Sequence, residues 1–172
     1  MFKRWLSEAK AVAAMESALI FPILMTLLFG VVDVGTGVMI NTKVNTATQL
    51  AADLLARQNM ADNDDIQEAR LAAEAALMPY FEASNFGIDI AGIQFDGEEA
   101  IPTERWRDTV GMNANTSAVG DADGLGLEDE GVVIVTVQYT YTPRFGEFIT
   151  GDMVMREVAF VKGRDSSFVG RN

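Results

Sequence analysis

The chain is 172 residues long and 49% hydrophobic, with a formal net charge of −12, no cysteine and no histidine. That length holds one membrane segment plus one domain of ordinary size. The missing residues exclude a disulfide framework, a thiol nucleophile, Ser-His-Asp triads and imidazole metal sites, and an acidic surface disfavours nucleic acid.

The chain opens on a basic tail: Lys3, Arg4 and Lys10 against Glu8 alone. Ala11 to Ile40 is then almost continuously apolar, with Glu16 at its mouth and Asp33 well inside it. As a helix, Ser17 to Ile40 would rise about 36 Å, enough to cross a bilayer with some tilt. From Asn41 onward ten Lys/Arg face twenty-two Asp/Glu. Basic residues before the span and an acidic domain after it follow the positive-inside pattern, with a cytoplasmic N-terminus and an exported domain. A cleaved secretory signal fits less well, because Asp33 stands where such a signal needs a small-x-small exit. An ionised carboxylate in hydrocarbon costs several kcal/mol unless it has a partner. Thr26, Gly30, Asp33 and Gly37 are spaced four, three and four and so share one helix face. Two readings of that face stand: close approach of a second helix with Asp33 bonding across, or Asp33 reaching water at the membrane edge.

The helical pattern continues beyond the span. Val44, Ala47, Leu50, Ala51, Leu54 and Leu55 form an amphipathic stripe that closes at Gln58 and Asn59. Asn63, Asp64 and Asp65 offer caps for a second helix, with Asp64 and Gln67 at capping-box spacing. Its apolar face is Ile66, Ala69, Ala73, Ala76 and Leu77, and Pro79 ends it. The period then falls to two. Strands are expected over Phe86 to Phe95, Ile101 to Val110, Gly131 to Pro143 and Met153 to Arg164. In the first, the apolar phase slips near Ala91-Gly92, which predicts a bulge, and Asp96-Gly97 predicts a turn. The fold class is therefore α+β: a long N-terminal helix, transmembrane then amphipathic, a short second helix, and an antiparallel sheet of about four strands. The expected boundaries are a leader over 1–11, the helix over 12–58 with its span at about 17–40, and an exported domain over 59–172.

Two further features carry weaker chemistry. Asp121, Asp123, Glu128, Asp129 and Glu130 lie in a Gly-rich loop that opens like a calcium loop, yet the remaining EF-hand spacing is missing, so a solvated acidic loop is favoured. Trp106, Tyr139 and Tyr141 read as aromatic packing against the helix in preference to an adhesive surface. No acid pair stands out from this background, so neither catalysis nor a cofactor is expected.

The N-terminal residues carry a resemblance. Ala11, the small and apolar run Val12 to Met15, Glu16, the early Pro22, and the step Gly30-Val31-Val32-Asp33-Val34-Gly35 stand in the order seen in TadE/TadG-like minor pilins, or pseudopilins, of the tight-adherence (type IVb, Flp) pilus. The aromatic strand ending in Tyr141-Thr142-Pro143 resembles the far end of that family more loosely. The resemblance implies a pilin-like fold and cleavage by a prepilin peptidase between Ala11 and Val12. It also implies assembly with other pilin and pseudopilin subunits at an inner-membrane platform, for pilus biogenesis, surface adhesion or associated secretion. It places the chain in the bacterial inner membrane, single-pass, with its C-terminal domain periplasmic or carried into an extracellular pilus. A new ammonium at Val12 and the Glu16 carboxylate are each costly among apolar helices, and become tolerable if one subunit's amine meets its neighbour's Glu16. The alternative is an uncleaved, membrane-anchored periplasmic binding or scaffold module, with Glu16 solvated at the headgroups.

Overall fold

One continuous helix, α1 (Phe2–Leu55), runs from the basic tail to the far end of the domain. The computed structural model describes residues 2–58, 60–147, 151–163 and 168–171, with side chains from residue 11 onward. Asn59, Arg164 and the side chains of Lys3, Arg4, Glu8 and Lys10 therefore lie outside the described residues. The helix has two environments. Large apolar side chains from Val12 to Val32 are exposed, whereas Ile40, Val44, Ala47, Ala51, Ala52 and Leu55 are buried. The second half is the stripe expected from the sequence, with one correction: Leu50 is 41% exposed, while Thr48 and Ala52 turn inward. The small residues let the helix lie close on the sheet, and the Thr48 hydroxyl is satisfied by the Val44 carbonyl at 2.8 Å.

Beyond a short strand β1 (Met60–Ala61), α2 (Asn63–Leu77) packs against α1. Its N-cap is Asp62, one residue ahead of the candidates Asn63 to Asp65. Asp62 accepts the N–H groups of Asp64 and Asp65, and Asp65 returns a bond to the Asp62 N–H, closing a capping box. At the other end the Lys43 ammonium of α1 donates to the Ala76 carbonyl at 3.2 Å, where a cation suits the helix dipole.

The sheet holds β2 (Phe86–Asp96), β3 (Ile101–Val110), β4 (Gly131–Tyr141) and β5 (Met153–Val161), ordered β3-β2-β4-β5 and antiparallel throughout. A one-turn helix α3 (Ala118–Asp121) interrupts the long β3–β4 connection, and β6 (Gly170–Arg171) pairs in parallel with β1. On the helix side, Phe86, Ile88, Ile90, Val133, Val135, Val137, Tyr139 and Tyr141 meet α1 and α2 in the main core. On the outer face, Ile93, Phe95, Val132 and Ile134 pack with Ala118 and Ala122 in a second, smaller core.

This second core explains the phase slip in β2. Its pairing with β4 runs one for one from Phe86↔Tyr139 to Gln94↔Gly131, so β2 itself carries no bulge. The apolar set changes faces because α3 covers the outer side only at that end of the strand. The irregularity lies in β3, where Gly92 pairs with Trp106 and Ile93 with Glu104, leaving Arg105 as the extra residue. Close approach fixes Gly92: a Cβ there would stand 2.2 Å from Trp106 Nε1. The Trp106 indole instead donates to the Val169 carbonyl at 2.9 Å and lies under the Arg171 guanidinium.

A buried polar cluster ties the β3–β4 excursion down. Asp89 of β2 is 1% exposed and accepts from Arg107 Nη1 at 2.6 Å, the Asn115 N–H at 3.0 Å and the Thr109 hydroxyl. Asn115 also donates to the Thr136 hydroxyl at 3.1 Å. Arg107 forks onto Glu104, and that hydrogen bond holds the Glu104 carboxyl below its usual range. A buried carboxylate inside a strand is tolerable here because its oxygens are satisfied.

Candidate functional site

The membrane-facing end of the domain is built where α1 changes environment. Phase decides which residues do it: Asp33, Gly37, Ile40, Val44, Ala47 and Ala51 recur at four and three residues, so the buried stripe reaches back to Asp33. Asp33 is 4% exposed. Its oxygens accept three consecutive backbone N–H groups from the turn after β4: Arg144 at 3.2 Å, Phe145 at 2.9 Å and Gly146 at 2.6 Å. Successive amides converging on one carboxylate form an anion cradle, and each such charge-assisted bond is stronger than a neutral one. Asp33 thus engages its own chain, and neither of the two environments expected from the sequence describes it in the monomer. Its signal was half present in the sequence: the helical phase is readable, but the partner turn lies over a hundred positions downstream.

The other proposed residues on that face separate. Gly37 is buried against Met153, Met155 and Tyr141, where an added Cβ would sit in ordinary contact at 3.6 Å. Gly30 has open space around it. The Thr26 hydroxyl donates to the carbonyl of Pro22 at 2.9 Å, within the helix. Ala11, Val12 and Glu16 are exposed on the helix surface, far from the domain core. The face from Thr26 to Gly37 is therefore left uncovered by the domain at its first two members and packed against it at its last two.

Beside Asp33 a cleft of about 570 Å³ opens between α1, the α2–β2 connection and the end of β4, lined by Thr36, Tyr80, Glu82, Tyr141 and Arg144 among others. Burial raises the pKa of the Tyr139 and Tyr141 phenols, with the nearby Glu82 and Asp33 charges adding to the effect. Both therefore remain neutral donors at physiological pH, and the Tyr139 hydroxyl donates to the Tyr80 carbonyl. Asp33 is occupied by backbone amides, and Glu82 accepts from Asn85 Nδ2 at 3.0 Å. The cleft is a structural seam between three elements.

In the acidic loop, Asp121 accepts from the Ser117 hydroxyl at 2.9 Å, and Glu130 accepts from Lys162 at 2.7 Å and from the Leu127 N–H at 2.9 Å. Among the described residues no group of three or more carboxylates is gathered for a metal ion. Tyr139 and Tyr141 belong to the main core, and Trp106 packs against its edge.

One described helix, Ala11–Leu55, is long and apolar enough to cross a membrane. A protein-family model, TadE-like protein, matches residues 11–53. Over that quarter of the chain, the N-terminal helix is similar to TadE-like proteins. The matched residues take in the exposed apolar half, Glu16, Asp33 and nearly the whole docking stripe, so the matched segment carries both the candidate span and the surface that receives the domain. The match supports a Tad pilus-associated protein, and the single apolar helix fits a single-pass membrane anchor in such a component. TadE-like proteins are structural and pilus-associated. No curated protein matches the chain, and no solved structure does.

Proposed function

We propose that this chain is a minor pilin-like subunit of a tight-adherence pilus, assembling through the exposed half of α1. It would support pilus biogenesis, surface adhesion or the associated secretion. The observation that carries the reading is the combination, in one helix, of a TadE-like sequence and an apolar surface from Val12 to Val32 that the domain leaves uncovered. Apolar surface of that extent needs lipid or other apolar helices around it. In this reading a prepilin peptidase cuts between Ala11 and Val12 on the cytoplasmic side. The new Val12 amine then meets Glu16 of a neighbouring subunit at the inner-membrane assembly platform. Such a pair sets axial register, since either charge left alone in the bundle is expensive. Thr26 and Gly30 extend the contact along the helix.

The test is the intact mass and N-terminal sequence of membrane-extracted protein, with and without the cognate prepilin peptidase. A mature chain beginning at Val12 only when the peptidase is present supports the pilin route. A chain beginning at Met1 in both strains points to the uncleaved scaffold. Glu16→Ala should insert normally but fail to co-assemble with other subunits.

A further inference from the structure

From Ala11 to Val32 no residue of α1 is buried by the domain; from Asp33 onward the domain covers one face, while Val34, Val38 and Met39 stay exposed on the other. From Ala11 to Val32 the helix rises about 33 Å, close to the thickness of a bilayer's hydrocarbon core of about 30 Å. The next residue is Asp33, buried by the turn Arg144 to Gly146. The domain therefore begins directly at the end of the stretch that it leaves wholly uncovered, with no linker between them. A second observation points toward the lipid. The Phe145 ring stacks on Phe29 with centroids 4.4 Å apart and planes within 14°, one helical turn back into the apolar segment. Phe145 still exposes 47% of its surface and Phe29 exposes 38%. An aromatic ring held on an exposed turn would ordinarily face water, yet here it is clamped alongside side chains that belong in hydrocarbon. Arg144 is exposed next to it.

We propose that the turn Pro143 to Glu147 is a membrane-interface anchor. Phe145 enters the boundary between headgroups and acyl chains of the bilayer that α1 crosses, and Arg144 lies at the level of the lipid phosphates. Asp33 holds the three amides of the turn, so the anchor is rigidly indexed to the helix and the domain stands on the membrane at a fixed height. Aromatic and basic side chains are the residues that settle at this depth. The contact is apolar in the main, because the domain's net negative charge opposes attraction to anionic lipid. A neutral phospholipid surface is thus the partner the geometry fits. This holds whether or not the leader is cut at Ala11.

The absence of cysteine makes the test direct. Single-cysteine variants of the full chain, carrying an environment-sensitive fluorophore, would be reconstituted in phosphatidylcholine vesicles containing brominated acyl chains. Phe145→Cys reports on the ring position, and Glu147→Cys reports on the turn with Phe145 intact. Leu24→Cys marks the span, and Leu127→Cys marks the outer-face loop, where the native residue is 71% exposed. Labels at 145 and 147 should be quenched several-fold more by brominated lipid than the label at 127, and approach the label at 24. Adding Phe145→Ser to Glu147→Cys should return the 147 label to the level of 127 with unchanged thermal unfolding of the domain. Labels at 145 and 147 that behave like 127, open to aqueous iodide while 24 is quenched, overturn the anchor. If the label at 24 is also open to iodide, the span itself is wrong and the anchor falls with it.

Discussion

Asp33 is a single carboxylate that ties the whole turn after β4 to α1. Its three amide partners are adjacent in the chain, so removing the acceptor strips every bond from the turn at once. Bonds to a charged group contribute about 1.5–3 kcal/mol each, but an exposed turn recovers water in their place, so Asp33→Ala should cost about 2–3 kcal/mol in total. Asp33→Asn keeps one acceptor oxygen and should lose about half as much. Hydrogen exchange of the amides at 144, 145 and 146 reads this directly: slow in the parent, fast in the Ala variant. Protection left unchanged in Asp33→Ala would mean that the turn is held by its other contacts. Tyr139 supplies a pH signature at the same end of the domain. Burial raises its pKa above the ordinary tyrosine value, so the folded state favours the neutral phenol. The stabilisation is complete below about pH 10 and is lost as pH rises through the folded-state value. Stability measured against pH should therefore fall above about pH 10. Tyr139→Phe, which cannot ionise, should flatten that fall and leave only the Tyr141 contribution.

At the scale of elements, the four strands of the main sheet were readable in the sequence, the two-residue strands β1 and β6 were not, and what failed in β2 was the inference from apolar phase to backbone geometry. In β2, Ile88 and Ile90 face the helices while Ile93 and Phe95 face α3. A strand covered on both faces at different points along its length mimics a bulge in sequence, because periodicity reports burial and not register. The cover itself was unreadable: α3 is one turn long, and the Asp89 cluster that pins it joins residues from β2, β3, β4 and the connection. The second helix was legible except for its cap, since the run of four Asp/Asn from Asp62 to Asp65 offers several oxygens at similar spacing. Gly92 tests how tightly β2 and β3 are fitted. Gly92→Ala would drive a methyl into the indole, and overpacking of this kind costs about 1–3 kcal/mol. Trp106 would have to leave the Val169 carbonyl, loosening the β1–β6 pair. In a Trp5→Phe background the remaining indole emission should shift to the red, and an unshifted spectrum would show that the strands part without moving Trp106.

For the molecule as a whole, the unbroken helix makes the membrane segment and the domain two regions with one shared axis. The domain touches α1 from Asp33 onward, with the Phe29–Phe145 stack as its outermost contact. At about 100° per residue, the seventeen steps from Glu16 to Asp33 leave the two carboxylates roughly a quarter-turn apart. Glu16 is thus directed away from the line that receives the domain, toward space a neighbouring helix would occupy. Inserting one alanine between Leu24 and Met25 rotates Glu16 by about 100° relative to the domain and leaves every described contact from Phe29 onward intact. Domain stability should change by less than about 0.5 kcal/mol, while co-assembly with partner subunits should be lost. The same insertion after Val38 acts differently. It turns Asp33 and Gly37 out of phase with Ile40, Val44, Ala47 and Ala51, so the turn and the sheet cannot both be satisfied. Denaturation of the domain in detergent should then show a loss at least as large as that of Asp33→Ala. Equal losses from the two insertions would mean that the span and the domain are coupled well before Phe29. Retained co-assembly in the first would show that the azimuth of Glu16 is free, and with it the register that the charge pair is proposed to set.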